Sequence, residues 1–213
     1  MSIITIIVIF LLSFYFLEVF SYIFLLTKFK NRSYEKLNTL GKIFQYLSLG
    51  NLLILIFFTS NFLQFYFPEN FSYFRDLWGW FSLIGLIFII GGSRIMYLVK
   101  KLVPQKKSKL ITKGIYGIMR HPTYLALILI SFGSAIILDS ITGLLLIPLV
   151  LVILEIVCLV EEKYVLLVKF QSQYQSYKEK IPSRLFPNPY NYLLIIISIL
   201  VMYIGILNII GGI

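Results

Sequence analysis

Long apolar runs constrain this chain more than any other feature. A helix needs about 20 mostly apolar residues to cross about 30 Å of hydrocarbon at a rise of about 1.5 Å per residue. Six stretches meet that need, at approximately 3–27, 43–66, 77–99, 122–138, 141–160 and 190–210. Apolar residues make up 59% of the 213 positions and charged ones only 13%, too little polar surface to solvate a globule of this size. The expected fold is therefore all-α: a polytopic integral membrane protein of about six transmembrane helices. The run from Ile3 has no basic flank and no small-residue cleavage site, so it is expected to be a retained helix. The net charge is +10, but a nucleic-acid binder of that charge does not carry these apolar runs, and no nucleic-acid partner is expected. The single cysteine, Cys158, lies inside an apolar run and reads as a small core residue, with no disulfide framework. One histidine and scattered carboxylates form no metal-ligand cluster.

Charge sets the orientation. Lys28, Lys30, Arg32, Lys36 and Lys42 fall between the first two runs, Lys100 to Arg120 between the third and fourth, and Lys163 to Arg184 after the fifth. The alternate loops hold Arg75, offset by Glu69 and Asp76, and then Asp139. With Arg94 at the end of the third run, eighteen of the 19 basic residues thus share one side. Positive loops stay cytoplasmic, so both termini are expected to face outward. Only Asp139 and Ser140 separate the fourth and fifth runs, which predicts a tight helical hairpin.

Two cytoplasmic segments carry more polar detail than topology requires. One reaches from Lys107 to Tyr124; the other runs from Glu161 to Pro182, and the hairpin brings both to the cytoplasmic face. Phe170, Tyr174, Tyr177 and Ile181 recur at helical spacing, which predicts an amphipathic helix lying on the membrane or on the protein. Arg120 suits a topology anchor, and Pro122 suits the first turn of a helix, where its missing N–H costs nothing. Glu161 and Glu162 mark the exit of the fifth helix. Glu155 lies about one turn inside the membrane and seven residues before Glu162, on nearly the same face. An ionisable group at that depth faces a cavity or a partner, and Glu18 raises the same question in the first run.

The string L-I-T-K-G-I-Y-G-I-M-R-H-P-T-Y ending at Tyr124 resembles the pattern L-V-T-x-G-P-Y-x-x-x-R-H-P-x-Y of the isoprenylcysteine carboxyl methyltransferase and phospholipid methyltransferase superfamily. Downstream, E-E, L-L-x-x-F, Y-x-x-Y and I-P are similar to the same family's C-terminal signature, so the resemblance covers about Arg94 to Pro187. It implies S-adenosylmethionine as cofactor, in a pocket open to the cytoplasm, with a lipophilic acceptor entering from the bilayer. Ser108, Lys109, Leu110 and Ile111 would run along the cofactor, and Tyr116 would line the pocket. His121, Pro122, Thr123 and Tyr124 would close over it. Counting back from Phe170, the family's cofactor-binding glutamate falls on Glu162, and Arg120 would orient the loop or meet the methionine carboxylate. Ile115 stands for the family's proline, Ala126 for a glycine, Gln171 for the glycine after the phenylalanine, and Lys163 for its second acidic residue. Cys158 occupies the place of the arginine that binds substrate in the isoprenylcysteine enzymes. Arg94 resembles another family arginine and is the candidate to serve instead.

The reading is a methyltransferase moving a methyl group from S-adenosylmethionine to an isoprenylcysteine-like carboxylate or a lipid head group. An amine or thiol acceptor needs a base, and Glu161 or Glu155 is the candidate. The expected organisation is three N-terminal spans over 1–93, a methyltransferase-like core over 94–187 and an extra span over 188–213. The expected location is the cell membrane, with the cofactor site on the cytoplasmic face; nothing in the pattern sets an oligomeric state. Two other classes compete: an NADPH-dependent reductase of lipid double bonds, because sterol-reductase-like proteins resemble the same region, and a non-catalytic scaffold or transporter subunit. A transporter should show paired broken helices, and the runs here show none.

Overall fold

The computed structural model describes residues 3–29, 34–60, 78–102, 109–138, 140–186 and 196. Among these, all regular structure is helical: α1 (Ile3–Lys28), α2 (Tyr34–Phe58), α3 (Trp78–Leu102), α4 (Pro122–Ile137), α5 (Ile141–Glu161) and α6 (Leu167–Lys180). A 3₁₀ turn, Gly114–Gly117, precedes α4, and a π turn, Glu162–Leu166, joins α5 to α6.

Four helical stretches are long and apolar enough to cross a membrane: Ile6–Lys28, Tyr34–Phe58, Ser82–Leu102 and Thr142–Lys180. Pro122–Ile137 is apolar but shorter. At about 1.5 Å per residue it spans about 24 Å, less than the hydrocarbon thickness. Instead of facing lipid it is wrapped by neighbours, with Tyr124, Leu127, Ile128 and Ala135 all buried. The expected sixth span, at 190–210, lies outside the described residues apart from Ile196, and so does the end of the second beyond residue 60. The six-span count is therefore not reached among the described residues. The second helix also begins at Tyr34, earlier than its apolar run, because polar turns carrying Glu35, Lys36 and Lys42 continue the same helix out of the membrane.

Lipid and side chains are equally apolar, so packing, not the hydrophobic effect, joins helices inside a bilayer. Small residues decide where that packing is closest. α3 and α4 form the most extensive pair, and glycines make it possible. A Cβ on Gly85 would stand 2.8 Å from the Gly133 carbonyl, and one on Gly92 would stand 2.8 Å from the Ala126 carbonyl. Ala126 is fully buried on this seam. α1, α2, α4 and α5 share a second core around Leu26, Leu127, Leu154, Val157 and Cys158. The outward faces carry Phe10, Phe20 and Ile87; Phe20 is 71% exposed, an arrangement suited to hydrocarbon rather than water.

Ser140 caps α5 by accepting from the Gly143 N–H at 3.0 Å, and its own N–H reaches the Ala135 carbonyl at 2.9 Å. That closes the tight hairpin expected between the fourth and fifth runs; Asp139 itself lies outside the described residues. From Thr142 the helical run continues for 39 residues to Lys180. At about 1.5 Å per residue that is nearly twice the hydrocarbon thickness, so its polar second half leaves the membrane. Two irregularities redirect it: the π turn, and Gln171, whose φ of +44° and ψ of −120° break the helical path. Gln171 sits where the family pattern has glycine, the residue that adopts such a backbone without strain.

Candidate active site

The loop before α4 is built around Gly114, with φ of +63°, where any Cβ would stand 2.7 Å from Leu102 Cδ1. Beyond it, the loop is strapped to the segment after α6. The Arg120 N–H donates to the Ser183 carbonyl at 3.0 Å and the His121 N–H to the Arg184 carbonyl at 2.9 Å. Leu185, fully buried, anchors the strap. The Tyr177 hydroxyl donates to the Tyr116 carbonyl at 2.6 Å, tying α6 to the 3₁₀ turn. Burial pushes the Tyr116 phenol up to about 12, with the Tyr34 phenol and the Glu161 carboxylate adding to the rise.

This framework brings five charged groups and one histidine together. Glu162, 3% exposed, is at the centre. Its Oε1 lies 3.2 Å from Arg120 Nε, 3.2 Å from His121 Nε2 and 3.3 Å from Arg184 Nε. The two arginine contacts are out of line for hydrogen bonds, so they act through charge, and the buried Arg120 Nη1 has no hydrogen-bond partner among the described residues. Arg184 Nη1 also reaches Glu155 Oε2 at 3.4 Å. The shared face read from their seven-residue spacing thus places Glu155 and Glu162 on one arginine.

Glu161, one position earlier, faces elsewhere. Its Oε1 accepts from the hydroxyls of Tyr22 and of Tyr124, the latter at 2.5 Å. Its Oε2 lies 3.6 Å from His121 Nδ1. His121 therefore stands between the two glutamates, with one ring nitrogen toward each.

Beside Glu161 opens a cavity of about 790 Å³, within the range that holds a cofactor-sized ligand. Lys109, Leu110, Ile111, Tyr116, Arg120, His121, Pro122, Thr123, Tyr124 and Glu161 all line it. The aromatic face of α6, Phe170, Tyr174 and Tyr177, forms another wall. Glu162 and Glu155 are not on the lining; they sit behind it in the ion-pair cluster. Arg94 is exposed on α3 and is also absent from the lining, and Ser108 lies outside the described residues.

Sequence reasoning missed a whole side of the cavity. Tyr22 of α1, the stretch of α2 from Leu37 to Tyr46, and Met96, Tyr97 and Lys100 of α3 all contribute. The boundary drawn between residues 93 and 94 falls inside α3, and the cavity draws on both sides of it. It missed Arg184 as well, which reads in the sequence as one more cytoplasmic positive charge. The available signals were weak: a tyrosine one turn after Glu18, and a glycine, Gly41, in a helix.

Apolar spans, with a polar, carboxylate-bearing cavity beside the end of α5, define an integral membrane protein with a candidate small-molecule site. The model of the phospholipid methyltransferase family matches residues 47–172, more than half of the chain, and the protein belongs to that family, part of the isoprenylcysteine carboxyl methyltransferase-like superfamily. Neither the curated proteins nor the solved structures give a match. The family makes this a membrane methyltransferase acting on lipid.

Proposed function

We propose that the protein transfers a methyl group from S-adenosylmethionine to a proton-bearing nucleophile, an amine or thiol, on a lipid head group, with Glu161 as the base. The observation that carries this reading is that Glu161 is the one acidic residue lining the cavity among the described residues.

The donor set suits the cofactor. The unpartnered Arg120 Nη1, buried at the cavity wall, is a ready partner for a carboxylate. Lys109 to Ile111, Tyr116 and Thr123 line the same side and would hold the rest of the cofactor. Glu162 acts indirectly in this reading, because its charge is taken up by Arg120, His121 and Arg184. When bound, S-adenosylmethionine supplies an electrophilic methyl carbon on a sulfonium leaving group. The protein's share is alignment, exclusion of water and removal of one proton. The Glu161 carboxylate would accept the proton that the nucleophile loses on methylation. Glu155, held by Arg184 off the cavity, is poorly placed for that task. A carboxylate acceptor would meet a like charge at Glu161 and, with Cys158 in place of the family's arginine, lacks its expected counter-charge.

The test has two arms. Calorimetry in nanodiscs should show S-adenosylhomocysteine binding in the micromolar range to wild type and to Glu161→Gln alike. Methyl transfer from labelled cofactor into a total lipid extract should fall about 10²-fold or more in Glu161→Gln. Folded wild-type protein that gives no heat of binding refutes the cofactor, and undiminished transfer by Glu161→Gln refutes the base.

A further inference from the structure

We propose that Tyr22 of α1 is a positioning residue for Glu161, and that Gly41 of α2 is the gap that lets the contact form. Both lie before residue 47, outside the matched family segment. This inference rests on the reading of Glu161 as the base.

The hydroxyls of Tyr22 and Tyr124 converge on a single oxygen, Glu161 Oε1, from helices α1 and α4. Two donors use the two acceptor positions of that oxygen. Among the described residues, the polar contact to Oε2 is His121 Nδ1 at 3.6 Å, beyond hydrogen-bond reach. Tyr22 and Tyr124 together therefore choose which oxygen is left to take a proton and hold the carboxyl plane while it does so. Tyr22 is itself held: it is 4% exposed, and its ring stacks on Phe44 of α2 at 4.3 Å between centroids and 4° between planes. Gly41, one turn before Phe44, faces the same contact. A Cβ there would stand 3.0 Å from the Tyr22 hydroxyl and 3.5 Å from Glu161 Oε1. A glycine lowers helix propensity, so its place here is better explained by the room it leaves than by the helix it weakens. Four elements, α1, α2, α4 and α5, thus meet at one oxygen of one carboxylate. The first of them joins a residue 139 positions away in the chain.

Tyr22→Phe keeps the stacked ring and removes only the hydroxyl. Its kcat is expected to fall about tenfold to hundredfold, the worth of one hydrogen bond to a charged group. Acceptor KM and S-adenosylhomocysteine affinity should stay within about twofold of wild type. Gly41→Ala should lower kcat in the same way, with the gain in helix propensity offsetting part of the cost of the displaced hydroxyl. The double variant should be no slower than the slower single, since both act through one contact. A second readout does not need turnover: the infrared difference spectrum of Tyr22→Phe against wild type should show a shifted carboxylate band that vanishes in a Glu161→Gln background. Wild-type kcat in Tyr22→Phe overturns the proposal, as does an unmoved carboxylate band or a Gly41→Ala variant with full turnover. Failure of wild type to bind S-adenosylhomocysteine would instead strike the cofactor assignment and leave the infrared arm to decide on Tyr22.

Discussion

Replacing Gln171 by glycine should stabilise the protein, although glycine within a helix ordinarily weakens it. The φ of +44° with ψ of −120° lies in a region that L side chains rarely adopt. Such backbone strain costs about 1–3 kcal/mol. Glycine removes it and brings back about 0.4–1 kcal/mol of lost unfolded-state restriction. The Gln171 side chain is exposed, so no packing is lost with it. The balance is a gain of roughly 1 kcal/mol, or about 2–4 °C in melting temperature for a chain of this size. Thermal unfolding in one detergent at one scan rate measures it, with Gln171→Ala as control; alanine keeps the strain and should give no gain. The bend that carries Phe170, Tyr174 and Tyr177 over the cavity is preserved, so S-adenosylhomocysteine affinity should not change. A glycine variant less stable by about 1 kcal/mol, the usual cost of glycine in a helix interior, would mean that residue 171 is helical and that the bend is misassigned.

Gly92→Ala should destabilise by about 1–3 kcal/mol through overpacking against the Ala126 carbonyl, whereas its neighbour Gly91→Ala, with nothing within 4 Å, should be neutral or slightly stabilising in the same melt. Glu162→Gln should cost about 3–5 kcal/mol of stability by leaving Arg120 buried without its carboxylate; a melting curve matching wild type would refute the cluster's role. With Cys158→Ala as background, cysteines at the exposed positions Lys113 and Lys180 should resist an impermeant maleimide in intact cells and react after permeabilisation. Labelling of either from outside would reverse the orientation.

The amino-acid sequence by itself determined that the chain is helical and embedded in a membrane. It also marked the RHPTY loop, the paired glutamates and the aromatic face of α6 as the polar detail that topology does not require. These are local properties: apolar length, charge asymmetry and a spacing that repeats with the helix. Ten of the residues singled out, from Lys109 to Tyr124 together with Glu161, line one cavity for that reason. The tertiary structure decided what each glutamate faces. Adjacent on the chain, Glu161 and Glu162 share His121 but otherwise point to different partners, and those partners, Tyr22 on one side and Arg184 on the other, arrive from opposite ends of the sequence. A carboxylate's chemistry is set by the donors and charges within a few ångströms of it. Which groups stand there depends on how α1 and the strap after α6 pack, and no pattern around residues 161 and 162 records that.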